Sequence, residues 1–385
     1  MNNRIVIACA GAGKTKLIVD ESLSKINVGS RILVITYTRS NQKEIINKYK
    51  ESGGVDFVNF NVKGLFTFLL EDIVRPYQKV VFNHRIREIQ FDNNNPHLRN
   101  GYNIKGRQEK LNDGRLNPLH YLTKCETKAH TSYLSKLATK IIKLTKKKPI
   151  SRLEDMYDYI YIDEVQDLIG WDFEIIKYIS KSKLINLMCV GDFRQTIYDS
   201  AITTKSPLSS DEKIKFFEES KFTKIVLNKC HRSIQEICDI ADTVHLKQNY
   251  QKTISAVKNI DIDEDFKNHL GVYIVRLSMV KDYVIKYQPV VLRLNKNIGI
   301  NDNIENLIKI TYGKSKGLGF DRVLIFPTKP YEEFFKGNVD VFEKNKTEES
   351  KNKLYVTLTR GRYSVGILMP DEMVNECNIK IWEGE

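Results

Sequence analysis

Near the start of the sequence, Ala8-Cys9-Ala10-Gly11-Ala12-Gly13-Lys14-Thr15 joins an apolar run to a helical pattern. That arrangement suits triphosphate chemistry. The backbone N–H groups of Ala10, Gly11, Ala12, Gly13, Lys14 and Thr15 are candidates to cradle phosphate oxygens, and the N-terminus of the following helix adds a favourable dipole. Lys14 is the candidate contact to the β- and γ-phosphates, and Thr15 the hydroxyl ligand of Mg²⁺. The strict pattern has glycine where this chain has Ala8. A second apolar run ends in Asp163-Glu164-Val165-Gln166-Asp167. Two carboxylates at a strand end can divide the work: Asp163 holds the metal through its waters, and Glu164 polarises the attacking water. Gln195, in Gly191-Asp192-Phe193-Arg194-Gln195, is an uncharged donor and acceptor suited to sensing the γ-phosphate or that water. Arg232 and Arg360 lie in patterned runs, His231-Arg232-Ser233 and Leu358-Thr359-Arg360. They are candidates to neutralise transition-state charge, a contribution of about 10³–10⁵ in rate in other NTPases. Gly317, in Lys316-Gly317-Leu318, is a further candidate for nucleotide contact.

These side chains need a scaffold. Residues 4–8, 31–36 and 55–59 read as strands with helical patterns between them, and such alternation implies a parallel sheet covered on both faces. From about 71 to 150 the alternation lapses into a basic, Asn-rich stretch, read as a mostly helical or irregular insertion that ends in a solvated connector at Lys146-Lys147-Lys148-Pro149. Residues 157–162 and 184–190 return to strand. The run 225–227 reads as the opening of a second domain, with strands near 272–275, 290–292, 308–310 and 323–326, a helix over 353–359 and a closing strand at 364–368. The expected architecture is therefore α/β, with a first domain over 1–220 (insertion about 71–150) and a second over 221–385.

Bulk properties bound the function. The 385 residues are 41% hydrophobic and 28% charged, which suits two or three soluble domains. No apolar run reaches about 18 residues, so no membrane span is expected, and with a strand pattern in the first residues no signal peptide is expected either. Six cysteines without a CxxC pair fit a reduced, cytoplasmic chain and give no thiolate metal site. Net charge is +13, and residues 75–150 hold 17 Lys or Arg against 5 Asp or Glu, a net of +12. An arbitrary basic segment is a solvated surface; one beside an NTPase core more often tracks a phosphate backbone.

Taken together, these residues resemble the UvrD/Rep group of superfamily 1 helicases. Asp163-Glu164-Val165-Gln166-Asp167 is similar to that group's DExQD box, Gly191 to Tyr198 to its GDxxQSIY segment, and Leu354-Tyr355-Val356-Thr357-Leu358-Thr359-Arg360 to its LYVALTRA helix. Thr36-Tyr37-Thr38 resembles the TFT segment, whose aromatic stacks on a base. Tyr37 and Tyr198 thereby become stacking candidates, with core packing as the alternative for each, and Thr38 a nucleic-acid contact. Thr311 to Leu318 resembles the segment coupling nucleotide to DNA, which nominates Lys314 and Lys316. The resemblance implies two RecA-like domains, with ATP and Mg²⁺ in the cleft between them. It also implies single-stranded DNA, ahead of RNA, as partner and 3′-to-5′ movement. Departures are visible: His231 stands where Tyr is usual, Gly319 replaces a Glu, and Asp199-Ser200-Ala201 lacks the usual aromatic and Arg. The insertion after Leu70 is a reduced counterpart of subdomain 1B, and the stretch between Ser233 and Thr311 leaves little room for 2B. The leading expectation is a DNA-dependent ATPase that translocates on, and helicase-like unwinds, nucleic acid. Two others stand beside it: a nucleotide-gated regulatory subunit of a partner nuclease, and a compact virus-type RNA helicase.

Overall fold

The computed structural model describes residues 3–92, 94–197, 202–296, 307–344 and 348–384. It divides into two compact units: the first holds residues 1–7, 14–191 and 198–225, the second 8–13, 192–197 and 226–385.

The first unit is built on a six-stranded sheet. Its strands are β1 (Arg4–Ala8), β2 (Ile32–Thr36), β3 (Phe60–Gly64), β4 (Tyr159–Ile162), β5 (Asn186–Gly191) and β6 (Thr223–Leu227), in the order β6-β1-β5-β4-β2-β3. All five residues of β2 are buried, as a parallel strand covered on both faces requires. Ile35 pairs with Ile162, and Ile7 with Gly191. The registers therefore bring β1, β4 and β5 to their C-terminal ends at one edge of the sheet. Helices α1 (Lys14–Ile26) and α2 (Arg39–Glu51) connect the first three strands.

Two strand assignments differ from the sequence reading. The third strand is 60–64, not 55–59. Val55 and Val58 are 87% and 84% exposed, and the Asp56 carboxylate accepts the N–H groups of Val58 and Asn59, which diverts that backbone into a turn. The run 225–227 ends β6, an edge strand beside β1, with Thr223 N–H donating to Asn3 O at 2.8 Å.

The insertion is mostly helical and irregular. Helix α3 (Thr131–Leu144) buries Leu134, Leu137, Ala138, Ile141 and Ile142, the i, i+3, i+4 stripe of a core-facing helix. Lys146 to Lys148 are exposed, but the expected connector is already starting α4 (Lys148–Met156), with Pro149 in the first turn, where its missing N–H costs nothing. Two-strand ladders, 88–90 with 128–130 and 98–99 with 102–103, are too short for any periodicity to reveal. A histidine cluster ties them to α3. His97 stacks on Tyr133 at 4.2 Å and bonds to His120 O at 2.9 Å, and His130 Nδ1 lies 2.8 Å from Asp92 Oδ1.

The second unit carries a five-stranded parallel sheet. Its strands are β7 (Gly271–Arg276), β8 (Val290–Arg293), β9 (Lys309–Thr311), β10 (Phe320–Ile325) and β11 (Gly361–Met369), in the order β7-β11-β10-β8-β9. Helices α5 (Gln235–Thr243) and α6 (Glu348–Leu358) pack on it, α6 starting earlier than the expected 353. The whole is an α/β fold of two RecA-like parallel-sheet domains. No helix among the described residues is long and apolar enough to cross a membrane.

Three buried histidines give the fold an acid limit. Burial pushes His120 down to about 4, and His245 and His269 down to about 3. His269 is sandwiched between Tyr273 and Tyr287 at 4.1 and 3.9 Å. An unfolded histidine titrates near 6.5. Below that pH the unfolded chain binds protons that these rings refuse, so stability falls as pH drops through 6.5 towards 4. Urea midpoints should therefore decline across this window. His269→Phe should flatten part of the decline; identical slopes in wild type and variant would remove His269 from this account.

Candidate active site

The phosphate loop needs glycine at two positions. Gly11 and Gly13 have φ of +72° and +80°, which strain an L side chain. A Cβ at Gly11 would also stand 2.8 Å from Arg232 Cβ and 3.0 Å from Cys230 Sγ. Ala12 between them is small, and Ala8 and Ala10 before them are buried. Within the second unit the loop is pinned by its own bonds. Ala10 N–H donates to Tyr355 Oη at 3.2 Å, Ala12 N–H to Cys9 O at 3.2 Å, and His231 N–H to Gly11 O at 2.9 Å. Two of the six candidate donors, Ala10 and Ala12 N–H, are thus engaged by protein acceptors, and the leading N–H groups, in the first turn of the helix that follows, lack intrahelical partners. That turn, from Lys14, carries no acidic residue.

In the first unit, Lys14 Nζ lies 3.6 Å from Glu164 Oε1, both side chains mostly buried. Glu164 adopts φ +54°, a left-handed conformation that a non-glycine residue holds only when its surroundings impose it. Gln166 Nε2 donates to Glu164 Oε2. The buried Lys213 ammonium donates to Gln166 O at 2.7 Å. A side chain at Gly191 would run into Gln166 Oε1, so glycine there leaves the glutamine its place. Asp163 is buried, with Thr36 Oγ1 3.5 Å from Oδ2, while its Oδ1 has no hydrogen-bond partner. Burial and the neighbouring Glu164 push its pKa up to about 7, against the pull of Lys14. Thr15 Oγ1 donates to Glu44 Oε1 at 3.1 Å. A buried carboxylate oxygen with no donor, a hydroxyl and a nearby second carboxylate fit a hard divalent cation.

In the second unit, Gln195 Nε2 donates to Asp192 Oδ2 at 2.7 Å. The two candidate arginines meet at Thr359: Arg232 Nη1 donates to its carbonyl at 3.1 Å and Arg360 Nη2 to its hydroxyl at 3.0 Å. Arg360 is fully buried, and also donates to Val356 O at 2.7 Å and Leu318 O at 2.8 Å. It thereby holds the turn containing Gly317, whose φ is +86°. Gly319 keeps Arg232 uncrowded, since a Cβ there would lie 3.2 Å from its Nε. His231 and Arg232 border a cavity of about 380 Å³, with Asp261, Arg362 and Tyr363 on its walls.

Of the nucleic-acid candidates, Tyr37 is half-buried and meets Phe66 edge-on at 5.8 Å. Thr38 caps α2, its Oγ1 accepting Asn41 N–H at 3.1 Å. Lys314 is exposed and Lys316 half-buried, both in the second unit. Tyr198 lies outside the described residues. The sequence reading missed Glu44 and Lys213, single polar groups in helices marked by no local pattern, and gave Tyr355 no role although it lies in the quoted run Leu354 to Arg360.

A family model described as an AAA domain matches residues 1–201. Among solved structures, the chain is similar to the arterivirus nonstructural protein 10 helicase, with 14% identity, a TM-score of 0.47, and coverage of 98% of this chain and 62% of that one. The complex of that helicase with DNA matches at 13% identity, a TM-score of 0.47, and coverage of 98% and 63%. The chain thus spans less than two thirds of the length of either. No curated protein matches the sequence.

Proposed function

Because the chain belongs to the AAA domain family, we infer that it is a Mg²⁺-dependent nucleoside triphosphatase. We propose further that single-stranded nucleic acid, DNA ahead of RNA, drives it, and that it moves 3′-to-5′ as the UvrD/Rep resemblance implies. One observation carries the reading: Lys14 and Glu164 stand 3.6 Å apart beside the partnerless Asp163 Oδ1. Asp163 and Thr15 are the residues that would hold Mg²⁺, which when bound neutralises charge on the β- and γ-phosphate oxygens. Lys14 is freed to turn to phosphate when Glu164 takes up a water. Glu164 then accepts that water's proton, oriented by Gln166 and, behind it, Lys213. Gln195 senses the γ-phosphate, and Arg232 and Arg360 stabilise transition-state charge. For Arg360 this requires exchanging carbonyl partners for phosphate.

Translocation in preference to unwinding is supported by the chain after Ser233. Among the described residues of 234–311, strands join the second unit's five-stranded sheet or, at 254–255, a short ladder with 229–230, and no separate compact unit forms. Opening a duplex costs about 1.4 kcal/mol of stacking per base-pair step. Phosphate release with single-stranded DNA, RNA or neither, run beside streptavidin displacement from single strands and separation of a 3′-tailed duplex, tests the proposal. Stimulation by RNA alone would replace DNA as the substrate, and no stimulation by either would end the reading.

The basic insertion should appear in the salt dependence. Log affinity for single strands should fall linearly with log salt, by about 0.7 per phosphate contacted. Lys105, Lys110 and Lys124 are exposed. Reversing all three to Glu should flatten the slope by up to about 2, at about 0.7 per lost contact. An unchanged slope places the strand elsewhere.

A further inference from the structure

We propose that Glu44 is a positioning residue for Thr15: its carboxylate takes the hydroxyl proton and so turns an oxygen lone pair of Thr15 towards Mg²⁺. The proposal rests on the triphosphatase reading above and adds to it a residue from a second helix. All of its parts lie in the first unit. A threonine hydroxyl carries one proton and two lone pairs. To ligate a metal it must offer a lone pair, and its proton then needs an acceptor elsewhere. Inside the helices of this chain that acceptor is the carbonyl four residues back. Ser22 donates to Ile18 O at 2.7 Å, Thr139 to Ser135 O at 2.9 Å and Thr357 to Lys353 O at 2.6 Å. Thr15 stands second in α1 and has no helical carbonyl behind it. Its Oγ1 donates instead to Glu44 Oε1 at 3.1 Å, across to α2.

Helix α2 fixes that meeting. Ile45 and Tyr49, one turn apart, are both fully buried, which sets the rotation of the helix and the side from which Glu44 projects. Glu44 itself is exposed. Among the described residues no lysine or arginine pairs with it; Lys48, one turn on, pairs with Glu51 at 3.8 Å. A salt bridge therefore does not account for its placement. Its charge also reaches Asp163, raising that pKa alongside Glu164. The connection from β2 into α2 thus serves both candidate metal ligands. Thr36 Oγ1, at the end of β2, lies 3.5 Å from Asp163 Oδ2, and Glu44 holds the Thr15 hydroxyl. Acceptors behind a metal ligand orient it and raise its basicity, and losing one typically costs about 10–100-fold in metal affinity.

The test uses the full chain and a fluorescent, non-hydrolysable nucleoside triphosphate, with affinity read in EDTA and across a Mg²⁺ series. Glu44→Ala should raise the Mg²⁺ needed for half of the metal-dependent tightening about tenfold, and should bind the nucleotide in EDTA no more weakly than wild type. Weakening by the same factor in both conditions would show a structural role and overturn the proposal. Glu44→Gln keeps a carbonyl oxygen to accept the hydroxyl proton, so its Mg²⁺ requirement should stay near wild type. A loss equal to that of Glu44→Ala would make charge the agent in place of the accepted hydrogen bond, and would also overturn it. In a Thr15→Val background Glu44→Ala should cost nothing further, because the hydroxyl it serves is gone; an added loss there would assign Glu44 to another group. If Glu44→Ala needs no more Mg²⁺ than wild type, the positioning role is lost while the proposed function stands. If Mg²⁺ neither tightens nucleotide binding nor supports hydrolysis in wild type, both fall together.

Discussion

Lys14→Ala is expected to abolish triphosphate hydrolysis, lowering turnover by on the order of 10³-fold or more, as loss of a charge-stabilising group on transferring phosphate does elsewhere. The lysine lies 3.6 Å from Glu164, one of the paired carboxylates. Its removal strips positive charge from the phosphate site and leaves Asp163 and Glu164 to repel each other, so nucleotide affinity should fall as well. Glu164→Gln should separate the two effects. The amide keeps the size and the hydrogen bond to Gln166 but cannot take a proton, so turnover should fall comparably while bound nucleotide is retained. Phosphate release measured beside binding of a fluorescent nucleotide resolves them. Lys213→Met should be milder, since the donor it removes serves Gln166 O, one step back from the water. Near-normal turnover in clean Lys14→Ala protein would refute the phosphate-loop assignment.

What could be read from the sequence follows from what local physics dictates. The strands ending at the site were legible because parallel strands buried on both faces must be continuous apolar runs. Gly11 and Gly13 were legible because positive φ leaves few alternatives. The strand Phe60–Gly64 was not, since it alternates apolar with polar residues and is only partly buried, while the more apolar 55–59 is turned out by Asp56. The insertion's ladders are two or three residues long, below any period. Lys213 and Gln166 are 47 positions apart, and Ala10 and Tyr355 are 345 apart. Such contacts exist only once tertiary structure forms. Residue type marked Arg360 as a candidate; its four protein acceptors, and so its present commitment to the turn at Gly317, could be seen only in the fold.

Arg194 carries the largest expected effect on stability. It is buried, forms ion pairs with Asp192 at 3.3 Å and Asp242 at 2.9 Å, and lies over the Tyr355 and Tyr250 rings at 4.6 and 5.2 Å. Burial lowers its pKa, but Tyr355, Asp192 and Asp242 hold it above the ordinary arginine value. Arg194→Ala would keep Asp242 served by Thr253, whose N–H and hydroxyl donate to it at 2.6 and 2.8 Å. Asp192 fares worse: it has no solvent exposure and would lose its adjacent cation. Removing one partner of a buried pair typically costs about 3–5 kcal/mol. For a unit of this size that corresponds to a Tm drop of roughly 10 °C. Arg194→Met with Asp192→Asn should recover much of it, because the penalty is a stranded charge and the double change leaves none. The double variant should still lose nucleotide affinity, since Asp192 positions Gln195 and the Tyr355 ring beneath Arg194 holds Ala10 N–H. A single variant that melts within about 2 °C of wild type would mean that water or backbone reaches Asp192. Recovered stability with lowered affinity would show that this buried charge pair serves the nucleotide loop more than the fold.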